Sequence, residues 1–588
     1  MAQDDETPTG IKSFSVGLGD GTPLPQDRQP PPPYRVLIFG DFATSVAGLQ
    51  EITGKDISEL ISELAPSLTV EAKNILGTLP ATLIEDVSFK RPRDFKPASV
   101  SKALEFRTTI KTAMAMGGVS GLADHGQRFD LLLDAAKSSS AHSALEPPAS
   151  RDVAPKPQTS GSPASDPKSD EDDGLDALFS MVEAPKRSAD SEVTQDLAKH
   201  AVQAFLSQTS SGEPRKPAPP TPAPAGGGAS FEAMIEDQAA LFLKDRRLHQ
   251  VLENWLALRM LLAELPRESS IRLFLVQVSA TAAIEDVLTS LEEPVGALAH
   301  AAFDVVLAAN ASSLAKDGAS NFKRLATLAA ENATCLLGTL APDFDGESAD
   351  TVGSRETPHQ MLDQIGFEQF ASLRQSAASN SLALFWNKGR LIADDDGLAD
   401  VGLPASWVAL LSILHAQAAN GWPDFGAGQK LSIDQLETAE HTNTGKPVAD
   451  SVMTFVSQDS ALSLASAGIN VLRGQANRAE VYFAGSRTVS ASKSDEPNAG
   501  VARALSMARL NTLLQVAFST APSGSKTAEE SAKNLQARLD EISDALFNAV
   551  QFSVTAARSE EDEDVLDIDA TLTGSARGDR QFGFRIGI

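Results

Sequence analysis

The sequence predicts a mixed α/β protein: a small α/β module and a larger layered α/β module, joined by a disordered spacer rich in Pro, Ser and Ala. Three observations predict it. Continuous apolar runs such as Tyr34–Gly40 and Ile271–Val278 have the length of buried strands, and they alternate with segments of helical period. From 117 to 228 the composition turns to Ser, Pro, Ala, Asp and Lys, burying too little apolar surface to offset the entropy of ordering. The chain closes on three strand patterns, Gln551–Ala556, Val565–Leu572 and Gln581–Ile588.

Residues 1–33 read as an arm, in which Ile11–Leu18 alternates in strand fashion through Ile11, Phe14, Val16 and Leu18 before the prolines at 30–33. The small module, 34–116, opens with the strand Tyr34–Gly40. It continues with an amphipathic helix over Asp56–Leu64, whose apolar face is Ile57, Leu60, Ile61 and Leu64. Strand patterns follow over Thr69–Ile75 and Ala81–Phe89, then a short helix ending near Arg107. The spacer, 117–228, carries three apolar islands, Phe129–Ala135, Leu175–Val182 and Val193–Leu206, the last two helix-patterned.

The larger module, 229–588, begins with a helix expected to run unbroken over Phe231–Leu262. Strands are expected at Ile271–Val278, Phe303–Ala309, Ala333–Thr339 and Ser381–Trp386, with helices over Ala282–Leu291, Phe322–Asn332 and Trp407–Ala419. A helix-poor stretch leads to Val481–Phe483, and two long helical patterns cover Ala502–Phe518 and Thr527–Phe547.

With 588 residues and 42% hydrophobic content the chain can bury a sizeable core. Its 50 basic and 78 acidic side chains leave a formal charge of -28, which argues against nonspecific nucleic-acid binding. No apolar run approaches the roughly 20 residues that span a bilayer, and the start of the chain lacks the basic-then-apolar order of a secretory signal. Membrane insertion is therefore not expected, and a cytoplasmic location is. The single cysteine, Cys335, sits in an apolar stretch and fits a reducing compartment.

Catalytic chemistry is hard to find. There is no Gly-x-x-x-x-Gly-Lys-Ser/Thr phosphate loop, no His-Glu-x-x-His helix and no Cys-x-x-Cys pair. The carboxylate runs Asp394–Asp396 and Glu560–Asp564 lack the Gly and ligand alternation of a calcium loop and read as solvated. No catalytic residue, cofactor or metal is expected.

Two sets of residues carry a resemblance. Tyr34–Gly40 with Asp41-Phe42, the helix Asp56–Leu64 with Ala65-Pro66, and Phe89 through Asp94, Phe95 and Pro97 to Arg107 resemble the small sheath subunit of bacterial type VI secretion systems, over about residues 11–115. The region 229–588 resembles the large sheath subunit of the same machine, through Leu248, Leu252, Glu253, Trp255, Leu258 and Arg259, then Asn420-Gly421-Trp422, then Ala467-Gly468-Ile469 and Ala479–Phe483. Members of that family carry the two subunits as separate proteins, whereas this chain joins them. It also has Trp255-Leu-Ala-Leu where the family has Trp-Arg-Gly-Leu.

The resemblance implies a mechanical role: copies self-associate into a helical or ring-stacked contractile sheath around an inner tube protein, seated on a baseplate and recycled by an AAA+ unfoldase. A non-contractile baseplate or scaffold component is the alternative. Strand addition by terminal arms is the expected linkage, through Ile11, Phe14, Val16 and Leu18 at one end and Phe582, Phe584 and Ile586 at the other. The late helices are expected to face the tube and to expose Arg503, Arg509, Lys533, Arg538, Asp540, Glu541 and Asp544.

Overall fold

The computed structural model describes residues 31–76, 81–108, 231–266, 270–295, 302–315, 317–391, 401–433, 435–441, 448–491, 500–521, 527–546, 549–558, 564–573 and 580–587. The arm strand Ile11–Leu18 and the three spacer islands lie outside them. Apart from Phe231, the described residues belong to one compact unit, drawn from Met1–Ala136 and Glu232–Ile588.

The fold is mixed α/β, as the alternation of patterns implies. Its main element is a nine-stranded sheet in the order Lys430–Ser432, Glu480–Phe483, Ile469–Gly474, Leu382–Trp386, Cys335–Leu340, Val305–Ser312, Tyr34–Gly40, Ile271–Gln277 and Leu49–Glu51. The six strands from Ile469–Gly474 to Ile271–Gln277 are parallel, and the flanking strands run antiparallel to their neighbours. A parallel sheet covered on both faces demands strands apolar on both sides, which explains the unbroken Val36-Leu37-Ile38-Phe39 run.

Tyr34–Gly40 does not build a sheet within its own module. It lies between two strands of the larger one, in register Tyr34↔Ile271 to Gly40↔Gln277 on one side and Val36↔Val305 to Phe39↔Ala308 on the other. Gly40 is close-packed here, since a Cβ would stand 2.8 Å from that of Ala309. The period of two divides the layers. Leu37 and Phe39 pack with Leu291, Phe322, Ala326 and Leu464 from the helices Ile284–Val295, Gly318–Glu331 and Gln458–Ser466. On the opposite face lie the helices Arg246–Glu264 and Ala405–Asn420, the latter ended by Gly421 in the left-handed region at φ 70°.

Two expectations are corrected. The helix expected over Phe231–Leu262 is two, Phe231–Leu243 and Arg246–Glu264. Asp245 caps the second, its carboxylate accepting from Leu248 N at 2.8 Å, so the chain turns where the pattern looked continuous. The stretch read as helix-poor contains Gln458–Ser466, capped by Ser457.

Two smaller sheets complete the parts that matter here. Ser67–Lys73 and Thr82–Ser88 pair antiparallel, each burying alternate residues. At the far end Val550–Arg558, Asp564–Leu572 and Arg580–Gly587 form an antiparallel three-stranded sheet. Its apolar face packs on the helices Val501–Thr520 and Ala528–Ala545 through Leu513, Leu535, Leu539, Phe552, Ile568 and Phe582.

Candidate assembly interface

The two signatures meet inside the molecule. Phe89 closes the strand Thr82–Ser88, and a short 3-10 turn places Phe95 on it, with ring centroids 4.4 Å apart and planes 6° from parallel. Asp94 shapes that turn by accepting from Lys90 N at 2.9 Å and Arg91 N at 3.0 Å, and Pro97 starts the next helix at its first position. Phe95 stacks in turn on Trp255, at 5.0 Å, and Trp255 meets Phe42 edge-on at 5.9 Å. The Trp255 indole donates to the Phe42 carbonyl at 2.9 Å. Leu252 is wholly buried one turn earlier. Glu253, 2% exposed, accepts from the Lys388 ammonium and from Gly402 N at 3.2 Å.

Polar contacts follow the same seam. Asp41, at the end of the central strand, accepts from Arg247 Nε at 2.8 Å, Ala280 N at 2.9 Å, Gln277 Nε2 at 3.1 Å and Ala43 N at 3.0 Å. Burial alone would raise its carboxyl, but these four donors outweigh it and hold the group below the ordinary carboxylate range. Gln238 and Gln250 each grip a strand with both ends of the amide. Gln238 donates to Lys73 O at 3.1 Å and accepts from Ile75 N at 2.8 Å, while Gln250 donates to Ala309 O at 3.2 Å and accepts from Ala311 N at 2.9 Å. Sequence reasoning missed both, because the pairing is spatial.

The expectation that Arg509 is exposed is corrected. It is wholly buried, 3.4 Å from Asp304, and donates to Pro33 O at 3.0 Å and Pro32 O at 2.6 Å. Asp304 also accepts from Arg35 N at 2.7 Å. Burial raises the Asp304 carboxyl against the attraction of Arg509. Thus Arg509 ties the helix Val501–Thr520 to the entry of the central strand, and it cannot face a partner.

Of the other late residues, Arg503 is half-buried with its guanidinium 4.6 Å above the Phe582 ring. Lys533, Asp540, Glu541 and Asp544 are exposed, and Arg538 pairs with Glu541 and donates to Thr520 Oγ1 at 2.8 Å. Trp422 packs on the C-terminal cluster and reaches Ser506 Oγ at 3.3 Å. Phe582, Phe584 and Ile586, expected on an arm reaching into a neighbour, lie on a strand bonded to Asp564–Leu572 of their own chain. Phe582 is buried and the other two are half-buried at the edge of the cluster. No strand among the described residues pairs with the outer side of Arg580–Gly587 or of Val550–Arg558.

Among the described residues no group of three or more His, Cys, Asp or Glu could hold a metal, and no helix is long and apolar enough to cross a membrane. Cys335 is buried, and burial pushes its thiol up to about 12.

No family model matches the chain, and no curated protein matches it. Among solved structures it is similar to a sheath tail protein from Desulfitobacterium hafniense, with 12% identity and a TM-score of 0.31 over 52% of this chain and 59% of that one. A sheath tail protein from Listeria innocua gives the same identity, TM-score and coverage. A chain of the anti-feeding prophage baseplate in the contracted state gives 14% identity and a TM-score of 0.31, over 51% of this chain and 75% of that one. The chain therefore spans 59% of the length of each of the two sheath tail proteins.

Proposed function

We propose that this chain is a structural, non-enzymatic subunit of a contractile sheath of the type VI secretion or phage-tail-like kind, with the small and large sheath subunits joined in one polypeptide. Copies stack around an inner tube on a baseplate, by heterologous contacts that generate an open polymer. The observation that carries the reading is the meeting of the two family signatures in the Phe89–Phe95–Trp255–Phe42 aromatic column. Residues that resemble two different subunits of one machine are here the two sides of one buried seam.

Linkage between copies is by strand addition: the arm strand Ile11–Leu18 of one copy joins the three-stranded C-terminal sheet of the next. That sheet has two edges that pair with no strand among the described residues, and an apolar floor that runs out to Phe584 and Ile586. The exposed Lys533, Asp540, Glu541 and Asp544 form the mixed-charge face offered to the tube. Exposed pairs of this kind are worth about 0–1 kcal/mol each, so release is easy for one subunit and attachment is strong for many. An AAA+ unfoldase recycles contracted polymer from a cytoplasmic pool.

Negative-stain micrographs of the purified chain, with and without residues 1–20, test the proposal. Tubes that depend on residues 1–20 support it. Tubes unaffected by the deletion overturn the arm linkage, and discrete rings or small oligomers in the intact chain favour a non-contractile baseplate or scaffold component.

A further inference from the structure

The C-terminal sheet has two outer edges, and one of them is already occupied by a side chain. Gln536, on the helix Ala528–Ala545, donates from Nε2 to Phe552 O at 2.9 Å and accepts at Oε1 from Val554 N at 2.7 Å. Its amide thereby fills the place that the N–H and C=O of one residue in a paired strand would take. Only this orientation of the amide gives both backbone groups a partner. Asp540 holds it there, accepting from the same Nε2 at 2.7 Å, and Ser543 Oγ covers the next outward carbonyl, Val550 O, at 2.5 Å. Gln238 and Gln250 make the same two-residue clamp in the interior of the molecule, on Lys73 with Ile75 and on Ala309 with Ala311. At Gln536 the clamp lies instead on an outer edge.

The bonds to Gln536 also fix which backbone groups point outward. Even-numbered residues of Val550–Arg558 face away from the middle strand. With Val554 opposite Ile568, and Ile568 opposite Phe584, it is the odd-numbered residues of Arg580–Gly587 that face outward on the other edge. No described side chain bonds to the outward N–H or C=O of Gln581, Gly583 or Gly587. Two of these are glycines, with no side chain to shield the edge.

We propose that Gln536 makes strand addition one-sided: it blocks the Val550–Arg558 edge and directs the arm strand Ile11–Leu18 of a second copy to the Arg580–Gly587 edge. This rests on the strand-addition reading above. The occupant follows from chemistry. Phe14, Val16 and Leu18 recur at every second residue, as Phe582, Phe584 and Ile586 do, so an added strand would extend the half-buried Phe584–Ile586 floor with three apolar side chains. A single permitted edge also gives each copy one acceptor for one arm, as an unbranched polymer requires.

Cysteine cross-linking between copies tests this. A full-length chain carrying Ser15→Cys is mixed with one carrying either Gly583→Cys or Thr555→Cys, both exposed sites, and treated with a short bis-maleimide. Cys335 does not interfere, being buried with its thiol raised to about 12. The expected result is a covalent dimer with the 583 partner and little with the 555 partner. Adding Gln536→Ala or the similarly sized Gln536→Met to the 555 partner frees two backbone groups, which should raise its dimer yield roughly tenfold. Equal dimer yields at 555 and 583 with Gln536 intact, or no gain at 555 in either variant, overturn the role of Gln536 and leave strand addition standing. No dimer at either site overturns strand addition itself, and the present inference with it.

Discussion

The indole N–H of Trp255 donates to the carbonyl of Phe42 at 2.9 Å, across 213 residues of sequence. Trp255 is 1% exposed and also stacks on Phe95, so a single side chain holds both the turn after the central strand and the aromatic turn of the small module. Trp255→Ala should cost about 3–5 kcal/mol of stability, read by chemical denaturation. Trp255→Phe should cost less, although the Phe42 carbonyl then loses its donor. Equal stability of Trp255→Ala and the parent chain would contradict the seam.

Arg509 and Asp304 form a wholly buried pair. Arg509→Met should destabilise by about 3–5 kcal/mol, because it strands the Asp304 charge in the interior. Replacing both, as Arg509→Met with Asp304→Leu, should recover part of that loss. Thermal unfolding of the two variants provides the comparison, and a double variant weaker than the single one would show that the hydrogen bond from Arg35 N to Asp304 outweighs the cost of the isolated charge.

Asp41 gives a pH dependence of known sign. Its folded carboxyl is held below the ordinary value of 3.8, so its stabilisation is fully present above that value and is lost as pH falls through the depressed one. Asp41→Asn should flatten the acid limb of a stability-against-pH curve below pH 3.8 and lower the plateau at neutral pH. An unchanged acid limb would assign the dependence to other carboxylates.

Cutting the chain between residues 108 and 231 should leave the two pieces together. Seven residues of the central strand are paired on one side and four on the other, and Gln238, Arg247 and Trp255 add contacts from the second piece to the first. With a specific protease site placed at residue 170, the cleaved halves should co-elute in gel filtration and separate only in denaturant. Separation in native buffer would show that the covalent link is needed.

Much of this fold was legible in the sequence because its signals are local. Apolar runs, helical periods and the alternation of Gln581–Ile588 identified most strands and helices to within a few residues. Partners were not legible, because pairing is a property of distant segments. Nothing in Tyr34–Gly40 says that it lies between Ile271–Gln277 and Val305–Ser312. Arg509 read as exposed for the same reason: its counter-charge, Asp304, stands 205 residues away. The break at Asp245 was not read, because the apolar pattern on either side of it concealed the boundary between two helices. Phe89, Phe95 and Trp255, singled out by resemblance, do converge, while Glu253 turns to Lys388 and Gly402, and the glutamine clamps carry no sequence signature at all.

The position of Tyr34–Gly40 also constrains how the protein is made. Translation delivers this strand first, and the second of its two neighbours is complete only at Ser312. At about 5–20 residues per second the ribosome leaves it waiting on the order of ten seconds or more. Until Gln277 is made, Val36, Leu37, Ile38 and Phe39 have neither neighbouring strand to pair with, so the nascent chain carries an unpaired, strongly apolar strand that competes with its neighbours on other ribosomes. Dense polysomes on this message would therefore favour mispairing, and a holdase that shields Tyr34–Gly40 would raise the yield of folded chain.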